Sequence, residues 1–200
     1  MTKNLVFIDS RVAGYQTLIS TFDADTQSVL IDAEQDGVLQ MQAALARYSG
    51  LDSIQVISHG SAGTLYLGST TLTSANLASY ATVLTAIGAS LTETGDLLLY
   101  GCNVGQGDVG LAFINALSGS TGADVAASSD ATGAAAVGGD WVLEAQTGTK
   151  ETATLAWTAD AGLLALNTAP AFRAPGSGGK AIIPVGTGGD NGYSVALQSD

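Results

Sequence analysis

Two short apolar runs, each cut off by a glycine-flanked reactive residue, constrain this chain more than any other feature. Residues 97–100 read Leu-Leu-Leu-Tyr and stop at Gly101 and Cys102; residues 54–57 read Ile-Gln-Val-Ile and stop at Ser58, His59 and Gly60. Uninterrupted apolar runs of this length, bounded by glycine, fit strands buried on both faces inside a parallel sheet. Cys102 is the only cysteine and His59 the only histidine. Both are therefore expected at the C-terminal ends of central strands, the edge where open α/β sheets build their sites.

The remaining pattern alternates in the same way. Residues 4–8 form a β-rich run ending at Asp9, residues 15–22 carry Leu18, Ile19 and Phe22 at helical spacing, and residues 28–31 form a second strand ending at Asp32. A helix is expected over residues 34–48, stopped by Gly50. Residues 64–68 and 70–72 alternate around Gly68 and Ser69 as a small hairpin, and Ser74 is placed to cap a helix running to about Ile87. After Cys102, the loop Gly105-Gln106-Gly107-Asp108 leads into a helix over 109–117, followed by a buried strand over 123–127 ending at Ser128, Ser129 and Asp130. Residues 141–144 and 152–157 are expected to pair as a C-terminal β-hairpin. The fold class is α/β, a three-layer sandwich with a mainly parallel central sheet and helices on both faces. All three prolines come after Leu166, two of them within residues 167–179, so residues 1–166 are expected to form the domain. Residues 167–200 read as a Pro/Gly-rich linker and the start of a following β-repeat domain.

Charge and cysteine content exclude several partners. With 6 basic against 18 acidic residues the net charge is −12, which argues against nucleic acid and anionic membrane. A single cysteine excludes an internal disulfide and a cysteine-based zinc site. The N-terminus moves straight into a strand without the apolar core of a signal peptide, and no apolar run reaches the roughly 18 residues of a membrane span. The acidic, Gly/Thr-rich usage suits a secreted or cell-surface bacterial protein, whose export signal is then expected outside this sequence.

A thiol and an imidazole on adjacent strand ends can act as a nucleophilic pair, because the thiolate attacks and the histidine takes its proton. Gly60 and Gly101 beside them leave room for a substrate backbone and for amide groups facing an oxyanion. Apolar strand, Ser58-His59-Gly60, then apolar strand, Gly101-Cys102, resembles the dyad of the caspase-like cysteine peptidases. The chain from Asn4 to about Leu164 also resembles an uncharacterised domain at the amino-terminal end of giant bacterial adhesin-type surface proteins. Around Cys102 the sequence Tyr100-Gly101-Cys102-Asn103-Val104-Gly105 lacks the fuller caspase signature. The resemblance implies an endopeptidase, with no cofactor or metal expected, that processes its own chain or a neighbouring surface polypeptide, its own chain being the preferred substrate.

By position, the resemblance further implies a substrate pocket lined by Asp9 or Arg11, by Tyr100, and by Ser129 or Asp130. Two carboxylates there favour a basic residue before the cut. The basic residues beyond the core strands are Lys150, Arg173 and Lys180, and Arg173, in the linker, is the preferred cleavage site over Lys150. Two other readings stay open. One is a catalytically silent scaffold with structural His59 and Cys102. The other is a calcium-binding adhesive module, suggested by the acids and by Gly/Asp stretches at 105–108 and 188–190, although no loop has the alternating ligands of an EF-hand or a repeated nonapeptide.

Overall fold

The computed structural model describes residues 3–155; the expected linker over 167–200 lies outside them. The centre is a six-stranded sheet formed by β1 (Asn4–Asp9), β2 (Thr26–Ile31), β3 (Leu51–Ile57), β7 (Leu91–Tyr100), β8 (Asp124–Ala127) and β9 (Ala145–Gln146), in the order β2-β1-β3-β7-β8-β9. The first five are mutually parallel, and β9 runs antiparallel to β8. The mainly parallel α/β sandwich follows from the apolar runs. Leu5, Val6, Phe7 and Ile8 are all fully buried because successive side chains enter cores on opposite sides of the sheet. Leu5 and Phe7 join Ile54, Val56, Leu97 and Leu99 in the larger core. Val6 and Ile8 join Ile57, Leu98 and Tyr100 in the smaller one.

The larger core is covered by α2 (Gly37–Leu45), α3 (Ala81–Gly88) and α4 (Gly107–Thr121), which contribute Val38, Met41, Leu84, Ile87, Phe113, Ile114 and Leu117. Helix α2 starts three residues later than its apolar pattern suggests, because Asp36 is the N-cap: its carboxylate accepts from the N–H groups of Val38 (2.9 Å) and Leu39 (3.0 Å). Ser74 does not cap α3. Asn76 instead ties the loop, accepting from Thr73 N–H and donating to the Thr71 carbonyl, and a short 3-10 turn (Leu77–Tyr80) precedes the helix.

The opposite face of the sheet carries little helix. The five-residue α1 (Tyr15–Ile19) supplies Leu18, and the rest of the cover is irregular chain carrying Val12, Trp141 and Leu143. The expected C-terminal hairpin is not formed as drawn. Trp141 and Leu143 are packed into this core as irregular chain, and β9 begins only at Ala145, with β8 rather than a later strand as its partner. Residues 152–155 carry no strand, and 156–157 lie outside the described residues.

A second, three-stranded antiparallel sheet stands beyond the end of β3: β4 (His59–Ser61), β5 (Thr64–Leu67) and β6 (Thr70–Thr73). The hairpin at Gly68 and Ser69 is as expected from the sequence; the added strand containing His59 is not. Among the described residues no helix is long and apolar enough to cross a membrane.

Candidate functional site

Strands β3 and β7 are parallel neighbours in register, with Ile57 opposite Tyr100. His59 and Cys102 each lie two residues past that last pair, so the topology delivers both to one place at the C-terminal edge of the sheet. Local bonds lock the two ends together: Ser58 N–H donates to the Tyr100 carbonyl (3.1 Å), and Gly63 N–H to the Val104 carbonyl (3.0 Å). His59 is held by its place in β4, opposite Tyr66, and is half-buried.

Gly60 and Gly101 are where the two ends touch. A Cβ on Gly60 would overlap the Val104 side chain and stand 3.1 Å from the Cys102 carbonyl oxygen, tighter than an ordinary van der Waals contact. Glycine here therefore sets the approach of the histidine strand to the cysteine turn. Gly60→Ala is expected to cost about 1–3 kcal/mol by overpacking, read as a lower urea midpoint at unchanged slope.

Cys102 itself is fully buried. Its Sγ accepts from Thr132 N–H at 3.2 Å and lies 3.5 Å from the Thr132 carbonyl. The next residue, Asn103, sits in the left-handed region (φ 62°), and its N–H donates to the Asp130 carbonyl at 2.7 Å. Asparagine is among the few residues that accept this conformation without glycine. It turns the chain sharply from β7 toward α4. The Gly105-to-Asp108 stretch is the entry to that helix, with Gln106 as N-cap and Asp108 in the first turn, so its acid faces a helix start, a favourable place for a negative charge without any cation.

The expected substrate pocket needs correction at two of its positions. Asp9 is fully buried and satisfied from within. It accepts from Arg11 Nε (2.8 Å), Arg11 Nη2 (2.7 Å), Arg11 N–H (3.0 Å) and Gly68 N–H (2.7 Å). Burial pushes its carboxyl up, but the bonds from the Arg11 side chain and from the two backbone N–H groups outweigh it and hold the pKa below the ordinary value. Arg11 also donates to the Gly68 carbonyl (2.8 Å). The pair clamps the end of β1 to the hairpin of the small sheet and leaves no carboxylate open to a ligand. Tyr100 is likewise fully buried, its ring 5.8 Å from that of Trp141 and its hydroxyl accepting from Leu155 N–H (2.8 Å). A side chain sealed in the smaller core lines no cleft.

Asp130 remains at the site. It is joined by two acids that sequence reasoning missed: carboxylate oxygens of Asp130, Asp140 and Glu144 lie within 4.8 Å of one another, all exposed. Desolvation, then the charges of Glu144 and Asp140, raise the Asp130 carboxyl above its usual value. Glu144 is engaged by Ser129, whose N–H and hydroxyl donate to it at 2.7 and 3.1 Å, so Ser129 supports the acid group rather than facing a substrate by itself. Oxygen ligands of this kind suit a hard cation, but exposed carboxylates are equally served by water.

Lys150 is not between hairpin strands. Its Nζ donates to the Thr152 carbonyl (3.0 Å), and the following N–H groups of Glu151 and Thr152 donate to Asp96 (3.1 and 2.7 Å). Asp96 lies six residues before Cys102 on β7, about 20 Å along an extended strand. Arg173, Lys180 and the Gly188-Gly189-Asp190 stretch lie outside the described residues.

Thr132 and Trp141 were also missed, and for a definite reason: Thr132 meets the thiol through its backbone, which leaves no mark on residue type. No curated protein and no solved structure matches the chain. A family model described as "Domain of unknown function (DUF4347)" matches residues 5–162. The chain, whose strand ends carry one thiol and one imidazole into a shared edge, therefore belongs to the DUF4347 family.

Proposed function

We propose that this domain is a cysteine endopeptidase that processes its own polypeptide, with Cys102 as nucleophile and His59 as general base. The observation that supports this reading is the parallel register of β3 and β7, which brings the chain's only cysteine and only histidine to one edge of the sheet. In the reaction His59 takes the thiol proton, and the thiolate adds to the scissile carbonyl. The C–N bond then breaks, with the proton returned to the leaving amine. Water hydrolyses the thioester, restoring the thiol and releasing the new carboxylate. Backbone amides where Gly60 abuts Gly101 and Cys102 are the candidates to receive the oxyanion.

Arg173 is the preferred cut. Lys150 is followed directly by Glu151 and Thr152, both bonded to Asp96 in the middle of β7, whereas Arg173 comes 18 residues of chain after Leu155, which is bonded at Tyr100. That length spans up to roughly 60 Å extended. With Asp9 paired internally, a preference for a basic residue rests on Asp130 together with Asp140 and Glu144. We place the domain, by its resemblance, in a large secreted bacterial surface protein, where one internal cut separates it from the downstream chain.

The test is to incubate the full 200-residue chain, as wild type and as Cys102→Ala, and map new termini by mass spectrometry. Cleavage after Arg173 in wild type alone is the expected result. Cleavage that persists in Cys102→Ala, or absence of cleavage in both, rejects self-processing by this dyad. The full burial of Cys102 favours a second reading, a catalytically silent scaffold. Under that reading the thiol is inert to alkylation whatever stands at position 59.

A further inference from the structure

Cys102 belongs to the smaller core, and its thiol is met there by the backbone of one excursion of chain. After β8 the backbone runs through Asp130, whose carbonyl takes the Asn103 N–H, to Thr132, whose N–H and carbonyl both lie on Sγ. It then makes a closed loop. Asp140 N–H donates to the Ala131 carbonyl (3.0 Å) and Gly133 N–H to the Asp140 carbonyl (2.9 Å), so the loop is pinched at its neck while its tip, around Val137, is exposed. Two side chains anchor the return in the smaller core: Trp141, packed against the Tyr100 ring, and Leu143.

Two features set this cover apart from ordinary core. The hydroxyl of Thr132, the residue whose backbone meets the thiol, is fully buried and has no hydrogen-bond partner among the described residues. A buried hydroxyl in that state penalises the closed arrangement and is relieved when the segment lifts into water. The rim bears Asp130, Asp140 and Glu144, whose mutual repulsion also opposes closure. Against these stand the backbone bonds at the neck and the Trp141 anchor.

We propose that residues 129–143 are an autoinhibitory lid over Cys102, latched by Trp141 and biased toward opening by the buried Thr132 hydroxyl. The proposal rests on the dyad reading above and adds its regulation: a polypeptide reaches the thiol only from the open state. Reaction at Cys102 then goes as the fraction open multiplied by the intrinsic reactivity of the thiol. The lid variants act on the first factor and His59 on the second.

The experiment measures the rate at which iodoacetamide labels Cys102 in the folded full chain, followed by mass spectrometry in zero to low urea. Wild type should label slowly, at a rate insensitive to low urea. Trp141→Ala, which removes the latch, should label roughly tenfold faster or more. Thr132→Val, of the same shape but without the hydroxyl, should label about three- to tenfold slower. Both shifts should persist with His59→Ala added. The lid is overturned if neither variant shifts the rate, if Thr132→Val labels faster, or if the rates climb steeply with urea, which means the thiol is reached by global unfolding. Should Trp141→Ala lose its native circular dichroism, the near-isosteric Thr132→Val decides by the sign of its shift. The dyad fails separately: if His59→Ala leaves every rate unchanged while the lid variants still shift it, the lid stands and the peptidase reading falls.

Discussion

His59→Ala is expected to slow Cys102-dependent cleavage after Arg173 by about 10²–10⁴-fold, the range lost when a positioned general base is removed. The imidazole is carried by β4, a strand of three residues whose one ladder partner among the described residues is β5, and its backbone is fixed against the cysteine turn by the Ser58 to Tyr100 bond. Removing the ring leaves that backbone in place, so the loss should be one of rate without a fall in urea midpoint. Time courses of the two cleavage products, for wild type and variant at equal concentration, give the ratio directly. A ratio near one assigns His59 to structure. A loss of rate accompanied by a matching loss of stability points instead to damage of the small sheet.

Asp9→Asn should lower stability by about 2–3 kcal/mol. Breaking a buried ion pair costs more than this when both partners are sealed, but the Arg11 side chain is 38% exposed and water offsets part of the loss. The pH dependence gives a second signature. The folded-state carboxyl of Asp9 lies below its ordinary value of 3.8. Its contribution is thus fully present above that value and is lost as pH falls through the folded pKa. Asp130 works in the opposite sense, since its raised carboxyl takes up a proton more readily in the folded chain and so adds stability as the solution is acidified. Urea midpoints of wild type and Asp9→Asn, compared at neutral pH and near pH 3, cancel what the two proteins share. The gap between them should be wide at neutral pH and narrow in acid. A gap independent of pH would mean that the carboxylate charge has no part in the clamp.

These outcomes bear on how far residues alone disclose such a site. The strands that carry it are legible because burial on both faces demands unbroken apolar runs, and Leu97, Leu98 and Leu99 have no other use. The expectation that His59 and Cys102 share one sheet edge comes from the uniqueness of each and from the apolar runs before them, and the parallel pairing of β3 with β7 puts both at that edge. Strand β4 is not legible, since His-Gly-Ser has no hydrophobic period and is held in the ladder only by its partner β5. Asp9 reads as open to a ligand because its closing partner, Gly68, is 59 residues away and acts through the backbone. Tyr100 is misplaced for a simpler reason: alternation along β7 turns it to the face opposite Leu99, into the smaller core with Trp141. Trp141 reads as a strand residue because its neighbours are β-formers, but one large aromatic filling a half-covered core needs no ladder.

The order of strands in the sheet has a consequence for synthesis. Once β2 has paired outside β1, every later strand of the main sheet joins at one growing edge, β3, then β7, then β8, then β9, in the order in which the ribosome delivers them. His59 therefore waits at an unfinished margin until β7 brings the thiol beside it. The chain that covers the thiol is made only afterwards, and Arg173 later still. On the proposed function, birth order thus runs base, nucleophile, cover, substrate: by the time Arg173 exists, the residues proposed to restrain its cutting have already been translated.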